Sequence, residues 1–109
     1  KGNKLYLIEG KHSANSKLPS LGDIKDGLLK MILYCNLTNT FIGNVSYDVV
    51  PTLKLTSSNL TGNLTSKDSE DDIQLFFNRN KLNGSQIELV KTLFEESRLN
   101  NFEIIIQGE

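Results

Sequence analysis

The segment Leu5-Tyr6-Leu7-Ile8 is apolar at every position and runs straight into Glu9-Gly10-Lys11, and a helix-patterned segment opens only ten residues later at Leu21. Side chains alternate between the two faces of a strand, so Leu5, Leu7 and Glu9 share one face while Tyr6 and Ile8 share the other. A strand that is apolar on both faces is expected inside a mostly parallel sheet covered by helices, where functional groups gather at strand ends. The chain is therefore expected to be an α/β protein in which this first strand is central.

The loop from His12 to Ser20 is rich in Ser, Asn and Lys, and Ser20 with Asp23 forms a capping arrangement for the helix that follows. Leu21, Ile24, Leu28, Met31 and Cys35 recur at intervals of three and four, which predicts one buried helical stripe. Leu29, Ile32 and Leu33 are expected to widen that stripe. Asp23, Lys25, Asp26 and Lys30 occupy the remaining face as solvated charges. Of these, Asp23, Lys25 and Asp26 come early enough in the helix to approach the end of the preceding strand.

Beyond the helix, Asn36 to Thr40 is a polar connection, and Phe41-Ile42 begins a second extended region. Residues 47–50 and 52–56 read as one or two strands interrupted at Pro51, because proline favours an edge or a bulge. Residues 57–72 are a polar loop that culminates in Asp68-Ser69-Glu70-Asp71-Asp72. That acidic run lacks the alternating oxygen ligands and central glycine of an EF-hand loop, and is expected to cap the amphipathic stretch Ile73 to Phe77. Asn83-Gly84 marks a turn, and Ser85 with Glu88 predicts a capping box at the head of a helix running to about Leu99. Ile87, Val90, Leu93 and Phe94 form its apolar face, Asn100-Asn101 ends it, and Phe102 to Gln107 reads as a final strand.

The 109 residues suit a single domain, or part of one. No apolar run approaches the roughly 20 residues needed to span a bilayer, and no secretory signal pattern opens the chain. The sole cysteine, Cys35, cannot form an internal disulfide or a cysteine metal cluster, and is compatible with a reducing cytoplasm. Five N-x-S/T sequons begin at Asn36, Asn44, Asn59, Asn63 and Asn83. About two are expected from this composition, and a Lys-, Asn- and Ile-rich chain generates them freely. Net charge is −1, but its distribution is uneven: residues 1–35 carry six lysines against three acids, and the remainder six Lys/Arg against ten acids. A basic amino-terminal third suits approach to a polyanion. There is no Walker-type glycine loop, no His/Cys metal spacing and no nucleophile elbow.

Chemistry concentrates at Glu9 and Lys11. Two positions apart on a strand, they project from one face roughly 7 Å apart along the backbone. A carboxylate that holds a divalent ion beside an ammonium that meets a water or phosphate oxygen is the minimum equipment for phosphodiester hydrolysis. His12 falls on the face of Ile8 and is expected to contact the loop or a phosphate. Ser13, Asn15 and Lys17 are further candidates for phosphate contacts, whereas Lys54 is expected to be a solvated residue on the sheet surface.

Ile8-Glu9-Gly10-Lys11-His12-Ser13, Lys17-Leu18-Pro19-Ser20 and Gly22 to Met31 together resemble the core of type II restriction endonucleases of the PD-(D/E)xK nuclease superfamily. The likeness covers about the first third of the chain. It implies a mixed sheet with helices on both faces, and a domain in which residues 1–109 form the carboxyl-terminal part of a nuclease catalytic core. By the same resemblance Glu9 would ligate Mg²⁺, Gly10 would offer its carbonyl as a further ligand, and Lys11 would position or activate the attacking water. His12, Ser13, Asn15, Lys17 and Lys25 would contact double-stranded DNA. A DNA methyltransferase would be the system partner, and a homodimer is compatible with the pattern. The family's other metal-binding carboxylate, an Asp upstream of the Glu-x-Lys strand, has no counterpart among the eight residues before Glu9. The chain begins with Lys1, so a fragment inactive by itself is expected. The rival reading is a non-catalytic DNA-binding or protein-interaction module that retains a nuclease-like core.

Overall fold

The computed structural model describes residues 3–35, 39–42 and 45–109. Its elements are β1 (Asn3–Ser13), α1 (Leu21–Cys35), β2 (Asn39–Ile42), β3 (Val45–Ser57), β4 (Asn63–Thr65), α2 (Glu70–Asn80), α3 (Gly84–Asn100) and β5 (Glu103–Gly108). The α/β class expected from the sequence is observed, as one mixed sheet of order β1-β3-β5-β4 in which β2 also pairs with β3. β1, β3 and β5 run parallel, while β2 and β4 are antiparallel to their neighbours. Because β1 and β3 are parallel neighbours, the chain must cross over between them, and α1 lies in that crossover.

The strand residues that enter the core all come from one face. Leu53 pairs with Ile104, and Leu55 and Leu64 both oppose Ile106; these five side chains are buried with Ile24 and Met31 of α1, Phe76 and Phe77 of α2, and Val90, Leu93 and Phe94 of α3. Each fully buried aliphatic or aromatic side chain stabilises the fold by roughly 1.5–3 kcal/mol relative to an exposed one. On the other face Tyr6, Ile8 and His12 are exposed, and Lys54 and Ile105 are half-buried. The sheet is thus covered on one side, and the expectation of helices on both faces does not hold among the described residues.

Several local expectations need correcting. β1 is an edge strand rather than a central one, since among the described residues it pairs only with β3. The apolar pair that suggested two-sided burial, Tyr6 and Ile8, is 53% and 58% exposed on the open face. The interior position belongs to β3, which is continuous through Pro51. On the side away from β1, β2 pairs with Val45 to Asp48 and β5 begins at Thr52, so Pro51 sits in the gap between them. A residue that cannot donate to a ladder is tolerated there. In α1 the buried stripe is Ile24, Gly27 and Met31, while Leu21, Leu29, Ile32 and Leu33 are exposed. Among the described residues no second layer lies above the helix to cover its outward apolar side chains.

The caps explain the helix boundaries. Ser20 Oγ accepts the Asp23 N–H at 3.1 Å, as its spacing predicts. Ser69 Oγ accepts from Asp72 N, and the acids Glu70, Asp71 and Asp72 fill the first turn of α2, where the exposed N–H groups favour negative charge. For α3 the cap is Asn83 rather than Ser85. Asn83 Oδ1 accepts from Gln86 N at 2.8 Å, and Gln86 Oε1 accepts from Asn83 N at 2.9 Å, a reciprocal box two residues earlier than predicted. Asn101, at φ 61°, ends α3 in the left-handed region.

Candidate functional site

Strand alternation turns Glu9 and Lys11 toward α1, and helical spacing brings Asp26 and Lys30, four residues apart, to the same place. The result is a closed ring of four charges. Lys11 Nζ lies 2.8 Å from Asp26 Oδ2 and 3.4 Å from Glu9 Oε2; Lys30 Nζ lies 3.3 Å from Glu9 Oε2 and 3.4 Å from Asp26 Oδ2. Both ammoniums therefore bridge the same two carboxylate oxygens. Lys11 and Glu9 are the sheltered members, with side chains 17% and 20% exposed, while Lys30 and Asp26 are 39% and 51% exposed.

Hydrogen bonding to Asp26, and then to Glu9, holds the Lys11 ammonium above its ordinary pKa against the opposing effect of burial. Asp26 is shifted down, first by its hydrogen bond to Lys11 and then by the charges of Lys11 and Lys30. Lys30 is shifted up, chiefly by Glu9. Consequently Lys11 and Lys30 are cations and Asp26 an anion at neutral pH. Lys11 can stabilise negative charge that develops beside it, but it is not poised to take up a proton.

The candidate residues do not all converge here. Gly10 follows Glu9 on β1 and borders a shallow depression of about 250 Å³ on the open face of the sheet, together with Lys11, His12, Lys54, Thr56 and Glu109. His12 Nδ1 lies 2.6 Å from Thr56 Oγ1, and its Nε2 lies 3.4 Å from Ser58 Oγ, so this imidazole braces β1 against β3 and the turn beyond it. Ser13 Oγ accepts the Ser16 N–H at 3.0 Å and shapes the loop. Asn15 is exposed on that loop, and Lys25 is exposed on α1, one residue and about 100° of helical rotation from Asp26. Lys17 is committed elsewhere: its ammonium donates to the carbonyl of Asn80 at the end of α2. Lys54, the expected surface lysine, is half-buried with its ammonium 4.0 Å from Glu109.

Two functional-looking residues escaped the sequence. Lys30, expected as a solvated charge on the helix, instead completes the ring, while Thr56 is the main partner of His12. The i, i+4 spacing of Asp26 and Lys30 was visible in the chain, but what the pair would face was not. Cys35 is half-buried, with its thiol 3.2 Å from the Asn100 carbonyl and its pKa raised by burial, a structural setting at the end of α1.

Among the described residues no three His, Cys, Asp or Glu side chains come together as a metal cluster. The oxygen donors available near Lys11 are the carboxylates of Glu9 and Asp26. Both of those carboxylates are bridged by the ammoniums of Lys11 and Lys30. No family model matches the chain, and neither a curated protein nor a solved structure matches it.

Proposed function

We propose that this chain carries the Glu-x-Lys portion of a Mg²⁺-dependent DNA endonuclease centre of the type II restriction kind, with Asp26 of α1 as the second carboxylate. The observation that supports the reading is the convergence of Glu9, Lys11 and Asp26: a sheltered lysine lies 2.8 Å from one carboxylate and 3.4 Å from the other. Glu9 and Asp26 would hold Mg²⁺, with water supplying its remaining oxygen ligands. When bound, the ion would polarise a phosphate oxygen and acidify a bound water.

The protein's own part follows from its electrostatics. Lys11, kept protonated by Asp26 and Glu9, would neutralise the extra charge on a phosphate as it passes through its five-coordinate stage. Glu9, sheltered at 20% exposure, orients what lies between it and Asp26. Lysines 4 and 25 are exposed in the same amino-terminal third and suit contacts to a DNA backbone, and Asn15 and Ser13 could join them from the loop. The proposed macromolecular partner is double-stranded DNA, with a DNA methyltransferase as system partner and a homodimer as one assembly.

The test is digestion of unmethylated DNA by the protein expressed at the full length of its gene, with and without Mg²⁺. Cleavage that needs Mg²⁺ and is lost in Glu9→Ala, Lys11→Ala and Asp26→Asn, each still folded by circular dichroism, supports the reading. Normal cleavage by all three variants rejects it.

A second reading, a non-catalytic module that binds DNA or protein, is favoured by a different observation. The four charges already neutralise one another, as structural ion-pair rings do. Wild-type protein that binds DNA equally well with and without Mg²⁺, and never cuts it, would support this alternative.

A further inference from the structure

We propose that the free edge of β1 is an interface for a second copy of this chain: two β1 strands pair antiparallel across a two-fold axis at Ile8 and join two sheets into one. β1 is 11 residues long, about twice the common strand length, and among the described residues its only sheet neighbour is β3. The backbone groups that face outward can be identified. The Lys11 and Ser13 carbonyls turn toward β3, where they accept from Thr56 Oγ1 and from the Ser58 N–H. Successive residues of a strand direct their backbone groups to opposite sides, so Lys4, Tyr6, Ile8, Gly10 and His12 present N–H and C=O groups at the open edge. Long edges are ordinarily guarded by proline, bulges or inward-turned charge. β1 has no proline, and its pairing with β3 runs without a bulge from Asn3 opposite Tyr47 to Ser13 opposite Ser57. The charges that it turns inward, Glu9 and Lys11, are already balanced within the chain by Lys30 and Asp26 and leave the edge unguarded.

The strand is complementary to itself, which is what a two-fold contact requires. Ile8 is the midpoint of Asn3–Ser13, so an axis there engages the whole strand and sets outward-bonding residues opposite one another. About ten backbone hydrogen bonds form, as many as a typical specific interface carries. On the open face Ile8, 58% exposed, meets Ile8 of the second copy, and Tyr6, 53% exposed, lies over Gly10 of the second copy. A Cβ at Gly10 would meet nothing within 4 Å, so the space above this glycine is free, and an aromatic ring laid across it covers backbone that is otherwise bare. On the helix face Leu7 stands opposite Glu9 and Leu5 opposite Lys11, so no carboxylate faces a carboxylate and no lysine a lysine. An axis one residue on, at Glu9, would set two carboxylates face to face. The association belongs to the strand edge and does not depend on what Glu9 and Lys11 do chemically.

Sedimentation velocity of the whole protein across the micromolar range is expected to show a dimer. Ile8→Lys sets two ammoniums opposite each other at the axis, and Ile8→Pro removes an N–H that points away from β3. Each is expected to weaken the dimer at least about tenfold and to leave the monomer folded, as thermal melts report. Leu29→Lys, on the outward side of α1, is expected to leave the dimer intact. A wild-type protein that stays monomeric overturns the proposal. So does a dimer that survives both Ile8 substitutions, or one that dissociates through Leu29→Lys alone. If Ile8→Pro does not fold, Ile8→Lys decides by itself.

Discussion

Lys11 Nζ and Asp26 Oδ2 lie 2.8 Å apart across the interface between β1 and α1, the shortest of the four contacts that close the charge ring. The pair joins an edge strand to the helix above it and so helps to hold a strand that, among the described residues, has sheet hydrogen bonds on one side only.

That contact gives the ring a pH signature. Asp26 is held below its ordinary value of 3.8, so its contribution to stability is present above that value and is lost as pH falls through its lowered folded-state pKa. Lys11 is held above 10.5, so its contribution is present below 10.5 and is lost as pH rises through its raised folded-state pKa. The stability difference between wild type and Asp26→Asn is therefore expected to stay level from about pH 5 to about pH 9 and to shrink toward zero in stronger acid. Urea titrations across that range check it. A difference that varied steadily between neutrality and pH 5 would contradict the assignment of charge states.

Gly27 is where α1 touches the sheet. A Cβ there would lie 2.6 Å from Cδ1 of Leu53, a side chain fully buried between α1 and the core. Gly27→Ala should gain up to about 1 kcal/mol in helix propensity yet lose about 1–3 kcal/mol to overpacking, for a net destabilisation. In a Leu53→Ala background the new methyl enters vacated space, and the same substitution should become neutral or stabilising. A double-mutant cycle by chemical denaturation measures the coupling, and independent effects of the two substitutions would refute the close packing.

Asn83 and Ser85 make opposite predictions. Asn83 accepts the Gln86 N–H and heads α3, so Asn83→Ala should cost about 1 kcal/mol. Ser85 makes no capping bond, and Ser85→Ala should stay within about 0.5 kcal/mol of wild type. Equal losses in thermal melts would restore the register that the Ser85/Glu88 pattern suggested.

Two strand glycines differ in the same way. At Gly108 a Cβ would run into the Leu60 carbonyl, a backbone group held by the turn that brings Gly62, at φ 84°, beside it. At Gly10 a Cβ would meet nothing within 4 Å. Gly108→Ala is expected to destabilise by at least about 1–3 kcal/mol, because the backbone must move. Gly10→Ala should be close to neutral. Melting temperatures of the two variants give the comparison.

Lys17 is expected to behave as a helix cap rather than as a DNA contact. Its ammonium donates to the Asn80 carbonyl, and Lys17→Met should cost about 1–2 kcal/mol of stability. Its DNA affinity at a temperature where both proteins are folded should match that of wild type, as fluorescence anisotropy would report.

Where the sequence could be read, the reason was local. Alternation along Leu5 to Lys11 correctly placed Glu9 and Lys11 on one face and His12 with Ile8 on the other, because a strand admits only that arrangement. Ser20 as a cap, the extent of α1 from Leu21 to Cys35, and the strand formed by Ile104 to Ile106 were legible for the same reason. The errors share a cause as well. An apolar residue on a strand or helix looks the same whether or not another layer covers it, so Tyr6, Ile8, Leu29, Ile32 and Leu33 read as buried and are exposed. Asn83 looks like a turn residue in the sequence and is a helix cap in the structure, because both roles favour asparagine.

Backbone stereochemistry and residue spacing were enough to specify which side chains leave an element together, and hence the Glu9–Lys11 pairing. The partners of that pairing come from far along the chain: Asp26 is 15 residues from Lys11, and Thr56 is 44 residues from His12. Which strand takes the edge, which flank of α1 meets β1, and which lysine completes the ring depend on how the layers stack. Stacking minimises exposed apolar area over the whole molecule, a quantity that no single window of residues contains.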